Sequence, residues 1–143
     1  MAFENELMQK QEDLVGHTLE YYKNDVDKLY IWIESKQKSF SFNAFALKNG
    51  EILYTNCVSR EDFTARDFLA EAVGYIRREY KLLREEYGNS VPSETKLVYD
   101  FNKNSLEATY LYDGVDGYSE DTSLGPYETL MSWEEEIKKE LGV

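Results

Sequence analysis

Residues 113–128 read DGVDGYSEDTSLGPYE, with five carboxylates, three glycines and no basic side chain. Carboxylates this close together can hold a calcium ion, act as an acid–base pair, or present negative charge to a partner. Calcium needs oxygens at fixed loop positions, D-x-[DN]-x-[DN]-G with a glutamate at the twelfth. Counting from Asp113, the third residue is Val115 and the fifth is Gly117, so the template fails. Zinc needs clustered Cys or His. The chain has one of each, His17 and Cys57, forty residues apart. No metal site is expected.

Covalent and acid–base catalysis find no better material. His17 is the only histidine, set in a helical pattern between Gly16 and Thr18. A surface or boundary position is expected for it rather than a role as general base. No nucleophile elbow G-x-S-x-G, Walker loop or G-x-G-x-x-G occurs. With 31% charged residues, paired carboxylates arise by chance. No catalytic residue and no cofactor are expected. A small hydrolase would need polar residues converging on His17 or on the carboxylates. The single cysteine, Cys57, cannot form an intrachain disulfide and reads as a small buried hydrophobe.

The third use of clustered acids, charge display, fits the balance of the whole chain. Its 143 residues carry a formal net charge of −12, from 28 acids and 16 bases. Residues 101–143 hold ten acids against three bases, which gives 3 − 10 = −7 of that total. Such a chain repels phosphate backbones and anionic membranes, so nucleic acid is not an expected partner. The aromatic strands lack the basic surround that an RNA-stacking sheet needs: residues 29–58 offer only Lys36, Lys38 and Lys48. A basic protein is the natural complement. No apolar run approaches the length of a membrane span, and MAFENELMQK lacks the apolar core of a signal peptide. A reducing, cytoplasmic setting is expected.

The acid-rich stretch needs a scaffold, and the periodicity supplies one. Residues 4–23 place Leu7, Leu14, Val15, Thr18, Leu19 and Tyr22 on one helical stripe, weakened by Gly16 by about 1 kcal/mol. LYIWIES, SFSFNAFAL and EILYTNCV are dense in aromatic and β-branched residues, and Lys48-Asn49-Gly50 is a hairpin signal. Ser35 to Lys38 reads as another turn, giving a three-stranded meander. Ser59 then opens a long helix, SREDFTARDFLAEAVGYIRREYKLLREEYG, with Asp62 completing a capping pair and Gly88 ending it. ETKLVYDFN and SLEATYLYD form a hairpin about Asn102-Lys103-Asn104. In it, Leu97, Tyr99 and Phe101 share a face with Leu106, Ala108, Tyr110 and Tyr112. Pro126 starts a last helix striped by Leu130, Trp133, Ile137 and Leu141. The order α-β-β-β-α-β-β-α predicts an α+β fold. Residues 1–143 form one domain, an antiparallel sheet with helices on one face.

Four stretches taken together resemble the YezG-like family of antitoxins, small immunity proteins of Gram-positive bacteria. DKLYIWIES followed by FSFNAFALKNGEILYTN is similar to the family's opening strand and aromatic hairpin. SREDFTARDFLAEAVGYIRREYKLLREEYG resembles its long helix with an LREE-type ending. TKLVYDFNKNSLEATYLYD looks like its second hairpin, and PYETLMSWEEEIKKELG like its C-terminal Tyr-Glu…Trp…Leu-Gly segment. The chain departs from the pattern at Pro92-Ser93-Glu94-Thr95, where the family commonly has Pro-Trp-Thr. The resemblance implies an immunity protein of a polymorphic-toxin system. Such proteins neutralise cognate toxins, often nucleases, whose basic clefts would suit an acidic inhibitor.

The expected contacts to a cognate basic toxin are Asp113, Asp116, Tyr118, Glu120 and Asp121, with Tyr110 and Tyr112 as nearby aromatics. Carboxylates would steer the encounter and aromatic rings would supply buried anchors. The other reading of the same features is an acidic adaptor or regulatory domain with no toxin partner.

Overall fold

The strand with the most continuous apolar run takes the centre of the sheet. A computed structural model describes residues 2–36, 39–58, 61–112 and 126–142. Its elements are α1 (Ala2–Tyr21), β1 (Lys28–Ser35), β2 (Phe40–Lys48), β3 (Glu51–Tyr54), α2 (Ala65–Tyr87), β4 (Glu94–Asp100), β5 (Ser105–Leu111) and α3 (Pro126–Leu141). This is the predicted α+β order. The five strands form one antiparallel sheet in the order β3-β2-β1-β4-β5. The meander therefore grows away from β1 on one side. α2 carries the chain back so that β4 pairs with the other side of β1. Asn49 and Gly50, with φ of 53° and 80°, make the β2–β3 turn, where two positive φ values match the twist of a tight hairpin.

α2 begins later than the sequence pattern implies. SREDFTARD contains two candidate capping pairs, Ser59 with Asp62 and Thr64 with Asp67. The helix uses the second: Thr64 Oγ1 accepts from the backbone N–H of Asp67 at 3.2 Å. Phe63, just before the cap, meets Phe68 with ring centroids 6.3 Å apart, a hydrophobic staple that fixes the entry angle. Ser59 lies outside the described residues, as do Gln37 and Lys38 of the expected β1–β2 turn. Gly88, at φ 60°, ends the helix as expected. α1 stops at Tyr21 rather than Lys23, because Lys23 and Asn24 turn to positive φ.

α1 and α2 pack on one sheet face. Leu7, Leu14 and Val15 of α1 and Phe68, Ala72, Ile76 and Leu83 of α2 meet Leu29, Ile31, Ile33, Phe42, Ala44 and Leu97. Tyr21 stacks on Phe68 at 4.4 Å and donates its hydroxyl to the Thr55 carbonyl at 2.6 Å. The expectation that every helix lies on one face is corrected by α3. Trp133 and Ile137 pack on the opposite face with Tyr30, Trp32, Phe45 and Leu47. The reason lies in β1 and β2, which carry large apolar side chains on both sides and so require a second cover. The side chains of Leu130 and Leu141 lie outside the described set. Cys57, expected to be buried, is exposed. It sits in the 3₁₀ turn Thr55–Cys57, after the sheet ends.

Two buried tyrosines make a test of hydrogen-bond accounting. Tyr80 is fully buried, yet its hydroxyl has no partner among the described residues. Burial alone should make that oxygen a liability of about 1–3 kcal/mol. Tyr80→Phe is therefore expected to leave stability unchanged or to raise it. Tyr21→Phe is expected to cost about 0.5–1.5 kcal/mol, since it removes a buried hydrogen bond and leaves the Thr55 carbonyl only the long bond from the Val58 N–H at 3.3 Å. Urea denaturation of both variants checks the ranking, and the reverse order would contradict it.

Candidate functional site

The α3-facing side of the sheet is apolar at one end and polar at the other. Strand register builds the polar end from four strands. Ser41 of β2, Glu34 of β1, Glu94 of β4 and Leu111 of β5 lie in one row. Alternation turns their neighbours Trp32, Asn43, Lys96 and Thr109 to the same face one row further in.

Glu34 and Glu94 are direct cross-strand partners, and only 6% and 8% of their surfaces are exposed. Like charges directly opposite each other destabilise a sheet. Each carboxylate is held by donors. Glu34 Oε1 accepts from Ser39 Oγ at 2.6 Å and Ser41 Oγ at 3.4 Å. Glu94 Oε1 accepts the Trp32 indole N–H at 2.8 Å. Positive charge is thin here. Lys36 Nζ stands 3.7 Å from Glu34 Oε2 and is more than a third exposed. Lys96 places its ammonium over the Trp133 ring, 5.5 Å from the centroid. Arg84 reaches the end of β1 but gives Nη2 to the Ser35 carbonyl at 2.5 Å.

This sheet end is also where the acid-rich segment departs. Ser93 donates both its N–H (2.9 Å) and its hydroxyl (3.1 Å) to the Leu111 carbonyl. That clamp fixes the chain one residue before Tyr112 and two before Asp113. The partner-contact candidates Asp113, Asp116, Tyr118, Glu120 and Asp121 lie outside the described residues. Tyr110 is turned to the helix-covered face, packs against that core, and accepts a hydrogen bond from Gln11 Nε2 at 2.7 Å. Tyr112 is half-buried beside it, and burial, then the neighbouring Tyr110, pushes its phenol above the ordinary range. Sequence reading missed Trp32, Glu34 and Glu94. The available signal was a lone glutamate ending the apolar run LYIWIES; its pairing with Glu94 depends on a β1–β4 register that nothing local encodes.

His17 is half-buried, stacked on Phe68 at 4.9 Å, with Nε2 3.2 Å from the Phe68 carbonyl. Among the described residues no serine, threonine or cysteine is bonded to it. No group of three or more His, Cys, Asp or Glu among them could hold a metal ion. No helix among them is long and apolar enough to cross a membrane. The sequence matches no protein-family model and no characterised protein.

Proposed function

We propose that this chain is a cytoplasmic immunity protein that neutralises a basic, nuclease-type toxin domain by forming a stoichiometric complex. The observation that carries this reading is the acidic row at the end of the sheet. Glu34 and Glu94 sit opposite each other in the central strand β1 and its neighbour β4, at a cost to the sheet. The segment holding Asp113, Asp116, Glu120 and Asp121 leaves from the same end. Fixed carboxylates in low-dielectric surroundings focus a negative potential and speed the approach of a positive partner. The resemblance to immunity proteins supplies the kind of partner, and the net charge of −12 agrees with it.

The test uses the tagged protein as bait in its native cell, followed by kinetics with the identified partner. A basic polypeptide should be retained at one-to-one ratio, and its nuclease activity should vanish at equimolar inhibitor. Association should slow at least about tenfold between low and high salt. A neutral or acidic partner, an uninhibited toxin, or a salt-independent rate would each contradict the proposal.

A further inference from the structure

β5 is an edge of the sheet. β4 pairs with one side of it, and among the described residues no backbone group bonds to the other. Bare edges are templates for strand addition, and proteins usually blunt them with short strands, bulges, proline or lysine. β5 has none of these. It runs for seven residues, SLEATYL, without proline, glycine or a base, and its pairing with β4 is unbroken from Ser105 to Leu111. The opposite edge, β3, is only four residues long, and its Tyr54 hydroxyl is engaged by Glu134 of α3.

The two faces beside the edge describe the strand it would accept. Alternation puts Ser105, Glu107, Thr109 and Leu111, all exposed, on the α3-facing side. Leu106, Ala108 and Tyr110 take the side covered by α1 and α2. Glu107 is the only charge of β5. Opposite charges on facing strands stabilise and like charges destabilise, so Glu107 selects a base. Lys96, the one base of β4, holds its ammonium over the Trp133 ring. That ring packs on Tyr30 of β1 and Phe45 of β2, so Lys96 leans away from β5. On the other side a groove of about 370 Å³ opens between α1 and the β4–β5 hairpin. Its walls include Val15, Leu19, Tyr99 and Leu106, with exposed Glu12 beside them. A residue opposite Leu106 on an added strand would point to the side of this groove, where an apolar side chain suits the walls.

We propose that β5 accepts an extended segment of a basic protein partner as an added strand, with its bases on the side of Glu107 and its apolar side chains on the side of Leu106 and Tyr110. This rests on the reading that the partner is basic and adds how it binds. Main-chain hydrogen bonds would supply affinity, and the alternating side chains specificity. The row of Ser41, Glu34 and Glu94 ends on β5 at Leu111, so the added strand would continue it. A second copy of this chain fits the edge poorly. Its β5 has no base to offer Glu107, and pairing would bring together two chains of net charge −12.

The probe is a seven-residue peptide of alternating lysine and valine, blocked at both ends and titrated into the full chain. Amide shifts and slowed amide exchange are expected on alternate residues of β5. N-methylating every second peptide residue removes main-chain donors and keeps the charge. Methylation in one frame should abolish binding, and in the other frame leave it. Glu107→Lys, at an exposed position, should keep the parent's melting temperature and weaken peptide binding at least about threefold. Equal effects of the two methylation frames, or a Glu107→Lys chain that binds like the parent, would overturn strand addition. Shifts confined to the Trp32 indole and its neighbours would do the same and leave the basic-partner reading standing. Dimerisation of the free chain that protects the β5 amides would give the edge to a second copy and overturn the proposal. The basic-partner reading fails separately, when the partner retained from native cells is not basic.

Discussion

Replacing Trp133 by alanine will undock α3 and cost about 3–5 kcal/mol, the usual range for a buried tryptophan. Trp133 is 5% exposed and packs edge-on against Tyr30 and at a steep tilt against Phe45, both centroids at 5.7 Å. With Ile137 it makes the described apolar hold of the last helix on the sheet. The remaining described ties are polar and peripheral. Tyr54 donates to Glu134 and the Lys96 ammonium lies over the Trp133 ring, while Lys138 pairs with Glu134 within the helix itself at 2.9 Å. An i,i+4 pair of that kind contributes about 0.3–0.5 kcal/mol. The core under α1 and α2 shares none of these side chains, so the loss should be local. Hydrogen exchange read by mass spectrometry would find α3 amides exchanging close to coil rates, with β1, β4, α1 and α2 still protected. Unchanged protection of α3 would show that something else holds it.

The same two-sided core explains what the sequence made legible. Element order came from periodicity alone, because α1 and α2 each bury one stripe and the hairpins carry Asn-Gly or Asn-Lys-Asn turns. The face taken by α3 did not, because Tyr30, Trp32, Phe45 and Leu47 look like ordinary members of aromatic strands until the register assigns them to the far side. The start of α2 was ambiguous for a local reason: two capping pairs stand five residues apart, and the staple between Phe63 and Phe68 selects the second. The candidate site was the least legible part. Acidity near the C-terminal end was plain from composition. The Glu34–Glu94 pairing joins residues sixty positions apart across a long helix, and nothing local encodes a cross-strand neighbour that distant. Tyr110 illustrates the converse. Alternation placed it correctly on one face of β5, but that face is the covered one, and its hydroxyl is engaged by Gln11.

Substituting glutamine for both Glu34 and Glu94 should separate stability from recognition. Each amide keeps an oxygen able to accept from the Trp32 indole or the Ser39 hydroxyl, so the hydrogen bonds at 2.8 Å and 2.6 Å can persist. What disappears is repulsion between two carboxylates opposite each other in adjacent strands, about 0.2–1 kcal/mol, against the loss of the long, partly exposed Lys36–Glu34 ion pair, which contributes about 0–1 kcal/mol. The double variant should therefore be as stable as the parent or slightly more so. Recognition should move the other way. Removing charges from a desolvated cluster that faces a positive partner typically costs about 2–5 kcal/mol, which is a Kd weaker by about 30-fold or more. Opposite signs for the two effects would identify residues kept for function at the expense of the sheet. Calorimetric binding to the captured partner, alongside urea denaturation of the free protein, reads both quantities. A double variant that is destabilised while its affinity stays intact would make the two carboxylates structural and remove the acidic row from the recognition surface.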